Sequence, residues 1–78
     1  MKMTLRTKRI DRGLTPSQLA EESGVPVRVI RALESGYRDV NKSQLVTLVR
    51  LCYVLECRVS DILTDPELVE KMRECEEN

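Results

Sequence analysis

Residues 14–36 read Leu14-Thr15-Pro16-Ser17-Gln18-Leu19-Ala20-Glu21-Glu22-Ser23-Gly24-Val25-Pro26-Val27-Arg28-Val29-Ile30-Arg31-Ala32-Leu33-Glu34-Ser35-Gly36. Two short helical patterns flank Gly24. Thr15 is a good N-cap. Pro16 suits the first helical position, where its missing N–H has no intrahelical partner to lose, and Gln18 completes a reciprocal capping box with Thr15. Leu19 and Ala20 form the buried stripe of this helix, and Gly24 ends it and makes the turn. The next helix starts at Pro26 or Val27, runs to Ser35 and stops at Gly36. With Ile30 at the centre of its inner face and about 3.6 residues per turn, Leu33, Glu34 and Val27 fall beside Ile30. Arg28, Arg31, Ala32 and Ser35 then fall on the outer side.

A helix, a tight turn and a second helix with outward arginines is the layout of a helix-turn-helix, which sets its second helix in a DNA groove. The charge distribution points the same way. Residues 1–38 hold eight basic and four acidic residues, a net of +4, and residues 39–78 hold five basic and nine acidic, a net of −4. The formal total of zero therefore conceals a basic half that contains the motif. Such a split suits a basic face for a polyanion and an acidic end held away from it.

Working toward the N-terminus, a first helix is expected from near Thr4 to just before Gly13. Leu5 and Arg9 lie four apart and share a face, so Arg9 points inward where an apolar residue would be expected. Glu34 is likewise an acid on an inward face. An unpaired buried charge costs several kcal/mol, so the two are expected to pair and tie the first helix to the third.

Toward the C-terminus, Tyr37 to Asn41 reads as a loop. Asn41 is expected to cap a fourth helix over 42–55, with Leu45, Leu48, Val49, Cys52 and Leu55 on its apolar face. Cys57 and Val59 continue the core through a turn, and a short helix with Ile62 and Leu63 starts at Arg58 or Ser60. Asp65-Pro66-Glu67 is a further helix start. The last helix places Leu68, Val69, Met72 and Cys75 on one stripe, and Glu74, Glu76 and Glu77 on a solvated end.

Seventy-eight residues correspond to one small domain. Two Tyr and no Trp or Phe leave the core to Leu, Val, Ile, Met and Cys, as in packed helices. The expected class is all-α. Apolar runs are broken well before membrane-spanning length, and no basic segment precedes an apolar run at the N-terminus, so a cytoplasmic protein without membrane contact is expected. The three cysteines, Cys52, Cys57 and Cys75, form no C-x-x-C pair, and the chain has no His. That argues against a disulfide framework, a metal site and a cofactor. Without a readable nucleophile–base pair or a Gly-rich phosphate loop, no catalytic residue is expected and the protein is not expected to be an enzyme.

Leu5, Arg9, Gly13-Leu14-Thr15, Leu19-Ala20, Gly24-Val25, Ile30, Glu34 and Gly36 together resemble the phage repressor/Cro-like helix-turn-helix family, also called the XRE family. Leu48, Leu55, Cys57 and Ile62-Leu63 fit that family's fourth and fifth helices. The resemblance covers about residues 5–63. It implies a lambda-repressor-like five-helix DNA-binding domain, here with an extra C-terminal helix, that often binds double-stranded DNA as a homodimer. It also implies an Arg9–Glu34 pair. Carried over position by position, its base-reading residues fall on Val27, Arg28 and Ala32. Arg28 is the best hydrogen-bonding candidate, since Arg pairs bidentately with guanine N7 and O6. Arg31 flanks it, within reach of a phosphate or a base. Backbone positioning falls to Ser17, Gln18, Tyr37 and Arg38. Pro16, Pro26 and Val40 depart from the usual pattern, and Pro16 removes a residue that often grips phosphate.

The expected organisation is a DNA-binding domain over 1–64, with the helix-turn-helix at 15–36, and an amphipathic acidic helix over 65–78. The expected function is a sequence-specific transcriptional regulator, a repressor by analogy. The alternative is an antitoxin-like or adaptor module whose protein partner, or second copy, meets Leu68, Val69 and Met72 on the last helix.

Overall fold

The computed structural model describes residues 4–77. The outermost residues of the two expected segments, 1–3 and 78, lie outside the described residues. Within them the chain forms α1 (Leu5–Asp11), α2 (Pro16–Ser23), α3 (Val27–Ser35), a 3-10 turn (Val40–Lys42), α4 (Leu45–Leu55), α5 (Val59–Ile62) and α6 (Pro66–Glu77). No strand occurs among the described residues. The architecture is all-α, five helices followed by a C-terminal one.

Two apolar clusters hold these helices. The first joins Leu5 of α1, Leu19 of α2, Val25 in the turn, Ile30 and Leu33 of α3, and Leu51 and Leu55 of α4. The second joins Leu48 and Cys52 of α4 to Val59, Ile62 and Leu63 at α5. Half-buried Val40 and Cys57 pack against both. α4 therefore serves both clusters from one face, with Leu48, Leu51, Cys52 and Leu55 at positions i, i+3, i+4 and i+7. Leu19, Ile30, Leu51 and Ile62 are the most completely enclosed side chains. Each contributes about 1.5–3 kcal/mol by leaving water.

The inward charges of α1 and α3 meet. Arg9 Nε donates to Glu34 Oε2 at 2.7 Å and Arg9 Nη2 to Glu34 Oε1 at 3.0 Å, a bidentate fork. Arg9 Nη1 donates to the Leu14 carbonyl at 2.7 Å, which pins the entry to α2. One guanidinium thus fixes three segments, and the two side chains are only 11% and 10% exposed.

Two expectations about α4 are corrected. Its first turn is not at Lys42: residues 40–42 form a 3-10 turn and α4 begins at Leu45 after Gln44. The reason is Asn41, whose side chain is committed elsewhere. Asn41 Oδ1 accepts from the Thr64 and Asp65 amides at 2.9 and 3.0 Å, and Nδ2 donates to Thr64 Oγ1 at 2.8 Å. Asn41 clasps the 3-10 turn to the start of α6 rather than capping α4. Asn41→Ala is expected to cost about 1–3 kcal/mol, because it strands two amides. The check is a thermal melt with amide exchange, which should accelerate at Thr64 and Asp65 before the rest of the chain. The second correction concerns Leu45 and Val49, which face solvent. Apolar residues occupy nearly every position of α4, so the pattern sets no phase, and the buried face is the one carrying Leu51.

α4 ends at Glu56, a non-glycine residue at φ 53°. The Cys57 amide then donates back to the Cys52 carbonyl at 3.1 Å. This 6→1 closure brings the side chains before and after the helix end together, and here both are thiols. The Cys52–Cys57 hydrogen bond holds Cys57 below the usual thiol range and, with burial, pushes Cys52 above it.

Leu68, Val69 and Met72 of α6 lie half-buried against the second cluster. At the far end of α6 Glu76, expected on a solvated end, accepts from Ser60 Oγ at 2.7 Å. Ser60 is buried at the start of α5, where a carboxylate also complements the helix dipole. α6 is therefore fastened at both ends, by Asn41 and by Glu76.

Candidate nucleic-acid interface

The interface is built on how α2 hands the chain to α3. Thr15 Oγ1 accepts from the Gln18 amide at 3.1 Å, and Gln18 Oε1 accepts from the Thr15 amide at 2.9 Å. The first turn of α2 carries no acidic residue, so its exposed amide end stays positive. At the other end, Gly24 takes φ 77°, a left-handed conformation that a side chain resists. Ser23 braces this turn: its hydroxyl donates to the Leu19 carbonyl at 2.6 Å and accepts from the Val25 amide at 3.2 Å. Val25 then plugs into the first cluster. The direction of α3 is thereby set by a turn anchored on both sides.

α3 presents two unlike faces. Ile30 and Leu33 are buried, while Arg28 and Arg31 are exposed three residues apart on one side. Val27 and Ala32 are half-buried at the edges of that side. Pro26 offers no side-chain cap, and no acid occupies the first turn. The amide end of α3 thus adds partial positive charge beside Arg28. The helix stops at Gly36, at φ 83°. The loop after it is ordered by its own bonds: Ser35 Oγ donates to the Ala32 carbonyl at 3.2 Å, and the Arg38 amide to the same carbonyl at 3.0 Å. This loop holds Tyr37 and Arg38 out in solvent.

The charges sort into two groups. Arg9 is consumed inside the fold, and Arg12 pairs with Glu56 at 2.8 Å. Among the described residues, Arg28, Arg31 and Arg38 enter no ion pair. The candidate positions thus fall into three groups: Ser17 and Gln18 at the start of α2, Val27, Arg28, Arg31 and Ala32 on α3, and Tyr37 and Arg38 after it. Gln18 already spends its carbonyl oxygen on the Thr15 amide.

Lys42, Gln44 and Thr47 are missing from the sequence-based set. They line a surface groove with Val29 of α3 and with Arg38, so the amide end of α4 adjoins the α3 loop. That end too has no acid in its first turn. Reading residues 42–44 as helix hid them, because a cation in the loop before a helix reads differently from one inside it.

A family model described as helix-turn-helix matches residues 5–52. The match begins with α1 and extends into the second half of α4. No curated protein and no solved structure matched the chain.

Proposed function

The chain belongs to the XRE-type, lambda-repressor-like helix-turn-helix family of DNA-binding regulators, and from that premise we propose a sequence-specific regulator that inserts α3 in the major groove of duplex DNA. The observation that carries this reading is the pair Arg28 and Arg31, unpaired and outward on a helix whose inner face is locked by Ile30 and Leu33. Arg28 reads a base edge, with guanine the best fit to a guanidinium fork. Val27 supplies apolar contact such as a thymine methyl accepts, and short Ala32 allows close approach. Arg31, Arg38 and Tyr37 hold phosphates, as do Ser17 and Gln18 with the amide end of α2. Lys42 and the amide end of α4 extend that grip. The regulator represses by occupying its site as a two-fold dimer, with recognition helices about 34 Å apart, one helical turn.

Binding of this kind weakens steeply with salt, the logarithm of the association constant falling by about 0.9 per phosphate contact for each unit of log salt. Arg38→Ala is expected to lower affinity by a similar factor on every duplex and to make that slope shallower by about 0.9. Fluorescence anisotropy on a selected and a scrambled duplex measures both. An unchanged slope would remove Arg38 from the phosphate contacts.

The second reading, an antitoxin-like or adaptor module working through α6, has weaker support. The side chains it would use, Leu68, Val69 and Met72, already pack half-buried on the chain's own second cluster.

A further inference from the structure

Four of the six large apolar side chains exposed among the described residues lie on one helix. Leu45 is 61% exposed, Val46 53%, Val49 50% and Tyr53 85%. All lie on α4, on a side that begins next to Cys52 and runs round the helix away from Leu48, Leu51 and Leu55. At about 100° per residue they span one continuous stripe, with Arg50 at its edge as the only charge on the helix. No other described element packs over it: α2 and α5 meet α4 through the buried side, and α6 lies on α5.

We propose that this stripe is the face through which two copies of the chain associate, packing α4 antiparallel to α4 across a two-fold axis at Val49. The spacing is self-complementary. Leu45, Val49 and Tyr53 are four residues apart in each direction, so they form a ridge of the kind helices interlock. With Val49 on the axis, Leu45 of each copy meets Tyr53 of the other, and both contacts recur by symmetry, as a closed two-fold interface requires. The stripe exposes about 400 Å² in each copy, as large as the biggest apolar patch on an ordinary monomer. Doubled, and with the surrounding rim, it reaches the roughly 1,000 Å² at which specific interfaces begin. An interface at the low end of the size range associates weakly alone and is completed on DNA, where two half-sites hold the copies together.

The inference rests on the dimeric part of the proposed function and moves the expected interface from α6 to α4. Its test uses the full chain in three forms: wild type, Val49→Glu, and Val49→Cys in a Cys75→Ser background. Sedimentation over a wide concentration range reads the mass. Binding to a single half-site and to an inverted repeat reads DNA affinity. The wild type should approach twice the monomer mass at high concentration and bind the inverted repeat cooperatively. Val49→Glu should stay monomeric, melt within a few degrees of wild type, keep half-site affinity and lose cooperativity. Val49→Cys should form a covalent dimer under mild oxidation, since the axis sets the two new thiols side by side. A wild type that stays monomeric on and off DNA overturns the proposal, as does a Val49→Glu protein that dimerises like wild type. Failure of the DNA reading looks different: dimers form through α4, and Arg28→Ala changes binding to neither duplex.

Discussion

Glu34→Ala should lose about 3–5 kcal/mol of folding stability, the usual result of stranding one partner of an enclosed ion pair. In the wild type, Arg9 divides its guanidinium between both Glu34 oxygens and the Leu14 carbonyl. Without Glu34, two donors of a group only 11% exposed lose their acceptors. A domain of this size holds a total of roughly 5–15 kcal/mol, so the loss takes much of it. At about 4–8 °C per kcal/mol, the melt should fall by roughly 12–40 °C. The stabilisation does not titrate away at neutral or mildly alkaline pH. The hydrogen bond to Glu34 raises Arg9 above the ordinary arginine range, so Arg9 stays charged from neutral pH up to that range and its share of the stabilisation fades as pH rises through and beyond it. Replacing both partners, Arg9→Met with Glu34→Leu, should recover much of the lost stability, because no charge is left behind. A Glu34→Ala protein melting within a few degrees of wild type would contradict this account of the pair.

Arg28→Ala should leave the melt unchanged and abolish specific DNA binding. The side chain is exposed and enters no ion pair among the described residues, so the fold does not depend on it. A bidentate contact to guanine is worth about 1–3 kcal/mol of base discrimination. A two-fold dimer presents that contact twice, so affinity for the selected site should fall by roughly 30- to 20,000-fold. Affinity for a scrambled duplex should fall only by the factor expected for one lost cation per copy, which compresses the specificity ratio. Titrations on both duplexes at fixed salt read that ratio directly, and an equal loss on each would make Arg28 a phosphate contact instead.

What the residues announced and what they hid divide along physical lines. Local chemistry was plain in the capping box at Thr15 and Gln18, in Pro16, and in the glycines at the ends of α2 and α3. Each acts within a few residues, so spacing alone fixes it. The Arg9–Glu34 pair was legible because two opposite charges on inward faces have few other ways to fold. The outward position of Arg28 and Arg31 followed from Ile30 and helical geometry. α4 failed for the complementary reason: with an apolar residue at nearly every turn position, its phase depends on neighbours distant in sequence, and Leu51 rather than Val49 became central. The bonds of Asn41 and of the exposed Glu76 escape a local reading because their partners, Thr64 and Ser60, lie 23 and 16 residues away. No local pattern marks such bonds. Lys42 was hidden by the misplaced start of α4.

The decisive measurement is selection of bound duplexes from a random DNA pool at two salt concentrations, with wild type and Arg28→Ala in parallel. Insertion of α3 in the major groove predicts an enriched inverted repeat for the wild type, with half-site centres about one helical turn apart. It further predicts a guanine at matched positions, weaker recovery at the higher salt, and no enrichment for the variant. Weak, salt-sensitive retention with no enriched sequence would contradict it, leaving only electrostatic attraction to the arginines of α3 and its loop.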